Sequence, residues 1–212
     1  MKGSAQPSSS SVPAAPLGGL VMAGGYSRRM GRDKAGLDYH GRPQWEWTRD
    51  LLREVVDWVG ISCREEQKLG APSERIPDTV PGQGPIGGFL AAHARLPGYA
   101  WLAVACDLPR LDEEGLHALV AARAPGLLAT AYASAEGLPE PLCAIYEPAI
   151  FPRLREALAG GTGCPRRVLR ELGDRVRLVP LPRPDLLDNA NTPKEAAALG
   201  APEMLGGEGA RE

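Results

Sequence analysis

The feature that most constrains the fold is a short apolar run, Leu17–Met22, which ends at once in Ala23-Gly24-Gly25. An apolar run that stops at glycines is typical of a buried strand entering a tight turn. Four cationic side chains then follow within seven positions, namely Arg28, Arg29, Arg32 and Lys34. Glycine backbone allows an anion to approach closely, and the cations would neutralise it. The segment therefore predicts a loop that binds a polyphosphate.

Strand-like and helix-like segments alternate along the rest of the chain. The predicted strands are 17–22, 58–63, 99–106, 126–133, 141–146 and 176–180, and the predicted helices begin near Pro43, Pro85, Asp112, Pro148, Pro165 and Pro193. This alternation predicts an α/β fold, Rossmann-like and doubly wound, with a mainly parallel sheet. Residues 1–16 are rich in serine, proline and alanine, so we expect a disordered leader, one domain over 17–200 and a flexible tail over 201–212.

The net charge of −2 gives the molecule no general attraction to nucleic acid or to an acidic membrane. No apolar run approaches the roughly 20 residues that span a bilayer. The four cysteines form no CxxC pair and have no histidine at metal-ligand spacing, which argues against zinc and against a disulfide framework. Free thiols fit a reducing compartment, and we expect the cytoplasm.

Ligands of open α/β sheets bind beyond the carboxyl ends of the strands. Three polar clusters follow predicted strands: 24–34 after the first, Asp107 after the third, and 188–191 after the last. The loop is not a Walker A motif, because Gly25 and Gly31 have five residues between them and Arg32 follows. Nor does it contain the dinucleotide fingerprint GxGxxG.

The loop resembles the signature of the molybdenum cofactor guanylyltransferase family, roughly L-A-G-G-x-S-x-R-M-G-x-D-K. The chain matches it from Ala23 to Lys34, with Met22 in place of the leucine. Three further segments resemble that family in its own order, and they are Asp78 followed by 84–88 (GPIGG), 106–109 (CDLP) and 188–193 (DNANTP). The wider nucleotidyltransferase superfamily has a looser version of the loop. The resemblance implies the nucleotide-diphospho-sugar transferase type of fold.

The resemblance also implies a reaction. The terminal phosphate of molybdopterin would attack the α-phosphorus of GTP, giving the guanine dinucleotide cofactor and pyrophosphate, with Mg²⁺ as the cofactor. Protein partners implied in the same way are cofactor-delivery proteins or molybdoenzymes. A phosphate monoester is already largely ionised at neutral pH, so no general base is needed.

The same resemblance assigns site residues. The catalytic residues would be Lys34, Asp107 and Arg29; the nucleotide-binding residues would be Met22, Ala23, Gly24, Gly25, Arg29, Lys34, Asp78 and Asp107; the acceptor-binding residues would be Gly84, Gly88, Asn189 and Asn191. Asp107 would hold the metal, being a hard oxygen donor at the end of an apolar strand. A second-strand asparagine of the family corresponds here to Ile61 or Ser62, which leaves that contact open.

Several of these residues have plainer explanations. Gly84 and Gly88 are also what close packing of a helix on a sheet requires, and Asp78, Asn189 and Asn191 also suit turns or caps. Two other functions stay open: cytidylyl or other nucleotidyl transfer to a different acceptor, and non-catalytic nucleotide binding or cofactor delivery. Glycine at position 24 favours GTP, because related cytidylyltransferases tend to have alanine there.

Overall fold

The computed structural model describes residues 13–25, 33–78, 82–190 and 192–201. The strands are β1 (Leu17–Met22), β2 (Val59–Cys63), β3 (Arg75–Pro77), β4 (Ala100–Ala105), β5 (Ala129–Ala133), β6 (Pro139–Tyr146) and β7 (Val176–Val179). The helices are α1 (Gln44–Arg53), α2 (Gly84–Arg95), α3 (Glu113–Ala121), α4 (Phe151–Ala159), α5 (Pro165–Leu172) and α6 (Pro193–Ala198). Short 3₁₀ turns occupy Lys34–Gly36, Pro148–Ile150 and Gly173–Arg175.

All seven strands form one sheet in the order β3-β2-β1-β4-β6-β5-β7. The β1 strand pairs in parallel with β2 and β4, β2 with β3, and β5 with β7. Only β6 among these strands runs the other way, antiparallel to both of its neighbours. The carboxyl ends of β1, β2, β3 and β4 therefore lie side by side along one edge of the sheet.

Helices cover both faces of the sheet, because both faces of its central strands are apolar. In β4 every residue is buried, and alternate side chains enter two different cores. Leu102 and Val104 pack in the core that includes residues of α1 and α3. Trp101 and Ala103 pack in the core that includes residues of α2, α4 and α5. The doubly wound, mainly parallel α/β fold expected from the sequence is confirmed.

The helix starts follow the local signals. Asp112 caps α3, accepting from the Gly115 amide at 2.9 Å, and Thr192 with Glu195 forms a capping box at α6. Pro85 lies in the first turn of α2, which begins one residue before it. Pro43 occupies the position before α1 and does not lie within it.

One detail of the sequence interpretation is corrected. The short strand β3 was not predicted, because three residues, Arg75–Pro77, are too few to display a periodicity. Two residues before β1 are also hydrogen-bonded to the rest of the described chain. The Ala15 carbonyl accepts from Arg123 at 2.8 Å and the Pro16 carbonyl accepts from the Ala100 amide at 2.9 Å.

Residues 1–12 and 202–212 lie outside the described chain. Among the described residues, no helix is long and apolar enough to cross a membrane.

The central strand β4 supports both the core and the strand ends, so we predict a large stability loss for Leu102→Ala. Leu102 is fully buried, and such truncations cost about 2–5 kcal/mol of unfolding free energy. The matched control is Leu178→Ala on the edge strand β7, where the side chain is 44% exposed and a change within about 0.5–1 kcal/mol is expected. Urea denaturation measures both, and equal losses would contradict this description of the core.

Candidate active site

The carboxyl ends of four parallel strands open into one cavity of about 470 Å³. Its wall is formed by residues from the end of β1, the 3₁₀ turn Lys34–Gly36, the end of β4 and the start of α2. Its lining residues are Met22, Ala23, Gly24, Gly25, Asp33, Lys34, Ala35, Ser62, Asp78, Gly82, Gly84, Pro85, Ala105, Cys106, Asp107 and Leu142. A cavity at this edge is where an open α/β sheet binds its ligand.

Lys34 and Asp107 meet on the wall of this cavity. The Lys34 ammonium donates to Asp107 Oδ2 at 3.0 Å, and the two side chains are 14% and 21% exposed. Lys34 begins the 3₁₀ turn, whose cap is Asp33: its carboxylate accepts from the Ala35 amide at 3.0 Å. Asp107 follows β4 directly. Since β1 and β4 are neighbours, their two outgoing loops deliver a cation and a carboxylate to one place.

The chain after β7 returns to the same place. The Ala190 amide donates to the Asp107 carbonyl oxygen at 3.3 Å, so residues 188–190 lie beside the end of β4. Tyr39 also lies near: burial raises its pKa to about 12, and the negative charge of Asp107 adds to the shift. A phenol with that pKa stays protonated at neutral pH.

Gly24 lies against Asp78, which follows β3. A Cβ atom at Gly24 would lie 2.8 Å from Asp78 Oδ2, so any side chain there would displace the carboxylate. The Ser62 hydroxyl donates to Asp78 Oδ1 at 3.1 Å. Burial raises the pKa of Asp78, and the hydrogen bond from Ser62 opposes that shift. The cavity thus has a half-buried carboxyl group, set by serine, beside glycine backbone.

Gly84 lets two backbone segments touch at the other side of the cavity. Its φ of +62° is a left-handed value that favours glycine. A Cβ at this position would lie 2.9 Å from the Gly163 carbonyl oxygen. Gly163 in turn has no room for a Cβ, which would lie 2.7 Å from the Gln83 carbonyl oxygen. The loop before α5 therefore packs on the start of α2 through paired glycines.

Gly88 does not line the cavity. A Cβ there would lie 2.3 Å from Ser62 Oγ and 3.0 Å from Met22 Cε. Close packing of α2 on β1 and β2 therefore accounts for this glycine, the plainer of its two explanations. The acceptor-binding role that the resemblance assigned to Gly88 stays a prediction.

Of the site residues that the resemblance assigned, some line the cavity and the others do not or lie outside the described residues. Met22, Ala23, Gly24, Gly25, Lys34, Asp78, Gly84 and Asp107 line the cavity. Asn189 is exposed and is not among the lining residues, although it precedes Ala190, which bonds to Asp107. Arg29 and Asn191 lie outside the described residues, as do Arg28 and Arg32, so their expected roles stay predictions.

Sequence reasoning missed two residues that hold the glycine turn. The Arg64 guanidinium donates to the carbonyl oxygens of Gly25 and Gly24, and the Gln67 amide donates to the carbonyl oxygen of Ala23 at 3.2 Å. Arg64 follows β2 directly, so the strand-end rule that singled out Asp107 would have found it. Gln67 carries no such signal, because it lies four residues beyond the strand.

Among the described residues, no group of three or more His, Cys, Asp or Glu side chains forms a metal cluster. Three carboxyl groups line the cavity: Asp33 and Asp78 accept hydrogen bonds from Gln67 and Ser62, and Asp107 pairs with Lys34. Magnesium commonly uses one or two protein carboxylates together with waters and the phosphates of a substrate. The donor set therefore fits a Mg²⁺ ion that arrives with a nucleotide.

A doubly wound sheet with a cavity at the carboxyl ends of its parallel strands is the arrangement of an α/β protein that binds its ligand at that edge. The chain belongs to the MobA-like NTP transferase family, whose domain model matches residues 19–176. The family resemblance noted in the loop motif is thereby confirmed.

Curated relatives of this chain carry names that match this family. A probable molybdenum cofactor guanylyltransferase of Deinococcus radiodurans is 35% identical over 196 residues, which are 87% of this chain and 94% of that protein. One of Nostoc is 32% identical, over 86% of this chain and 90% of the relative. A molybdenum cofactor biosynthesis bifunctional protein of Synechocystis is 39% identical over 75% of this chain, which spans about half (47%) of that longer protein.

Solved structures of similar fold include a protein whose name matches this family. The molybdopterin-guanine dinucleotide biosynthesis protein A of Archaeoglobus fulgidus superposes with a TM-score of 0.71 at 25% identity, over 86% of this chain and 96% of that one. The 2-C-methyl-D-erythritol 4-phosphate cytidylyltransferase of Thermus thermophilus has a TM-score of 0.63 at 14% identity, over 85% and 96%. The second likeness shows the fold alone.

The packing of Gly88 generates a prediction. Gly88→Ala should lower the unfolding free energy by about 1–3 kcal/mol, because the new methyl overpacks the contact with Ser62 and Met22. Gly98→Ala is the control, since a Cβ there meets nothing within 4 Å. Thermal unfolding of both variants measures the difference, and wild-type stability in Gly88→Ala would show that the contact is not tight.

Proposed function

We propose that this protein transfers the GMP unit of GTP to the terminal phosphate of molybdopterin, forming the guanine dinucleotide cofactor and releasing pyrophosphate. The observation that carries the proposal is the 3.0 Å contact of Lys34 with Asp107 on the wall of the strand-end cavity. The names of the relatives supply the substrates, and the cavity supplies groups suited to them. Free thiols at all four cysteines support the cytoplasm as its compartment.

The central difficulty of the reaction is the repulsion between two anions. A phosphate monoester must approach a triphosphate, and further charge gathers on the departing pyrophosphate. Positioned cations and dipoles are therefore the main catalytic requirement. In the proposed complex, Lys34 turns from Asp107 towards the α- and β-phosphates, while the backbone of Gly24 and Gly25 lets the phosphates approach closely. Arg29 is proposed to bind the β/γ end.

Asp107 is proposed as the residue that would hold Mg²⁺ when a nucleotide is bound. Such an ion supplies neutralisation of charge on the phosphates when it is bound. The chain's own part is to orient: Asp107 is fixed by its place at the end of β4 and by the Ala190 amide on its carbonyl oxygen. The acceptor needs no base, since its phosphate is already ionised at neutral pH.

Selection of guanine is proposed to fall on Asp78 and Gly24. A carboxylate accepts hydrogen bonds only, and guanine offers two donors, N1–H and the exocyclic amine, on one edge. Cytosine presents no such adjacent pair. The lack of a side chain at Gly24 leaves the Asp78 carboxylate where it is, 2.8 Å from the place of a Cβ.

The function is tested by supplying purified protein and Mg²⁺ with molybdopterin and, in separate reactions, GTP or CTP. Pyrophosphate release with GTP is expected to exceed release with CTP at least about tenfold, the factor that corresponds to about 1.4 kcal/mol. Preference for CTP would replace guanylyl by cytidylyl transfer. Nucleotide binding without any pyrophosphate release would favour the delivery-protein alternative.

The metal assignment predicts the behaviour of Asp107→Asn. Turnover should fall at least about 100-fold, the size of effect seen when a preorganised charge partner is removed. GTP affinity should change less than about tenfold, since the phosphates keep Lys34. The control is Asp174→Asn, an exposed carboxyl at the amino end of β7 and so at the opposite edge of the sheet. Wild-type turnover in Asp107→Asn would sink the assignment.

The phosphate-binding role of Lys34 predicts a double effect. Lys34→Ala should raise the Kd for GTP and lower kcat, each about tenfold or more, since one charge serves both ground state and transition state. Lys68→Ala, which removes an exposed lysine of the β2–β3 connection, should leave both constants unchanged. Calorimetric titration with GTP and the pyrophosphate assay give the two values, and an unchanged titration in Lys34→Ala would count against the role.

A further inference from the structure

Arg64 occupies a place in the site that the proposed chemistry has not used. It follows β2 directly, and its side chain is only 16% exposed. Its Nη1 donates to the carbonyl oxygen of Gly25 at 2.8 Å and to that of Gly24 at 3.3 Å. Its Nη2 donates to Asp33 Oδ2 at 3.2 Å, and its Nε donates to the exposed Glu66 Oε1 at 2.7 Å. One guanidinium group thus joins residues on either side of positions 26–32.

Gln67 makes the same connection with neutral groups. Its amide nitrogen donates to the Ala23 carbonyl at 3.2 Å and to Asp33 Oδ2 at 2.5 Å, and its amide oxygen accepts from the Arg64 backbone N–H at 2.7 Å. The Gln67 residue is 8% exposed. Hydrogen bonds at both ends of its buried amide hold Gln67 and Arg64 together as one unit.

Asp33 links Arg64 and Gln67 to the 3₁₀ turn that carries Lys34. While Oδ2 accepts from Arg64 and Gln67, Oδ1 accepts from the Ala35 amide at 3.0 Å and caps the 3₁₀ turn in which Lys34 is the first residue. The orientation of that turn determines where the Lys34 ammonium lies. Arg64 therefore acts on two walls of the cavity, the glycine backbone and the lysine.

The charges in these contacts favour the binding of an anion in the cavity. Carbonyl oxygens and the Asp33 carboxylate would repel a triphosphate that entered the cavity. Arg64 directs its donors to two of those carbonyls and to that carboxylate, so it compensates the unfavourable groups nearest the proposed phosphates. An arginine is suited to this task because its planar fork donates in several directions at once, which a lysine cannot reproduce.

We propose that Arg64 is a positioning residue for the triphosphate: it holds the Gly24–Gly25 backbone and the Asp33–Lys34 turn in register and neutralises Asp33. The inference rests on the proposed nucleotidyl transfer, but it concerns the nucleoside triphosphate and not the acceptor. Arg64 acts through the turn and need not touch the substrate. Gln67 supports the same arrangement.

The test compares Arg64→Ala and Arg64→Lys with the wild type in the pyrophosphate assay. Arg64→Ala should raise the KM for GTP about tenfold or more, because the bonds from a charged donor to the three oxygens of Gly24, Gly25 and Asp33 are lost. The KM for molybdopterin should stay within about twofold, since the acceptor end of the cavity is untouched. Arg64→Lys should recover little. Arg167→Ala, which removes an exposed arginine paired with Glu171 on α5, should match the wild type.

Two readouts separate positioning from a general loss of stability. Guanidinium ions at millimolar concentration should lower the raised KM of Arg64→Ala, since they fit the gap between the three oxygens, and should leave Arg167→Ala unaffected. The double variant Asp33→Asn with Arg64→Ala should show a smaller rise in KM than the product of the two single rises, because the partners share one interaction.

A wild-type KM for GTP in Arg64→Ala overturns the proposal. A raised KM that guanidinium does not lower, and that multiplies independently with Asp33→Asn, also overturns it. If Arg64→Ala does not fold, the KM for GTP is measured in Asp33→Asn and Arg64→Lys instead. A raised KM in these variants supports the proposal, and a wild-type KM overturns it. Failure of the proposed function is a separate result: the wild type itself would then release no pyrophosphate from GTP and molybdopterin, and calorimetric titration of the same variants with GTP would test Arg64.

Discussion

The ion pair between Lys34 and Asp107 is the interaction on which the organisation of this site depends. The two residues are 73 positions apart, yet their charges meet at 3.0 Å because β1 and β4 are parallel neighbours. A half-buried cation and carboxylate stabilise each other without a ligand. In the proposed complex, a triphosphate and its metal ion would offer each of them a new partner of the same sign as the old one, so the exchange would leave no charge uncompensated.

Around this pair, the cavity is shaped by backbone that comes unusually close to other groups. Gly24 leaves room for Asp78, and Gly84 with Gly163 lets two loops touch. Gly88 has a different reason, since it packs a helix on the sheet. Glycines in one motif can therefore serve either the ligand space or the core. Only the atoms next to each of them tell which.

A second layer of contacts keeps the site in place from both sides. On one side, Arg64 and Gln67 bind the glycine turn and Asp33. On the other, Arg110 bonds to Asp185 at 2.9 Å and to Asp188 at 3.1 Å, which ties the segment before Asn189 to the end of β4. Charged side chains of these loops thus connect the segments that surround the site.

The sequence by itself determined the fold class and the strand ends at which the ligand is expected, because apolar periodicity and glycine-rich turns are local properties. The family followed from the resemblance of the loop motif to a known signature. It also marked Lys34, Asp107 and Asp78. The tertiary structure decided what is non-local: that Gly88 faces Ser62, that β3 exists, and that Arg64 reaches Gly25 and Asp33. Those facts depend on which strands are neighbours and on where a side chain points, and no run of residues encodes either one alone.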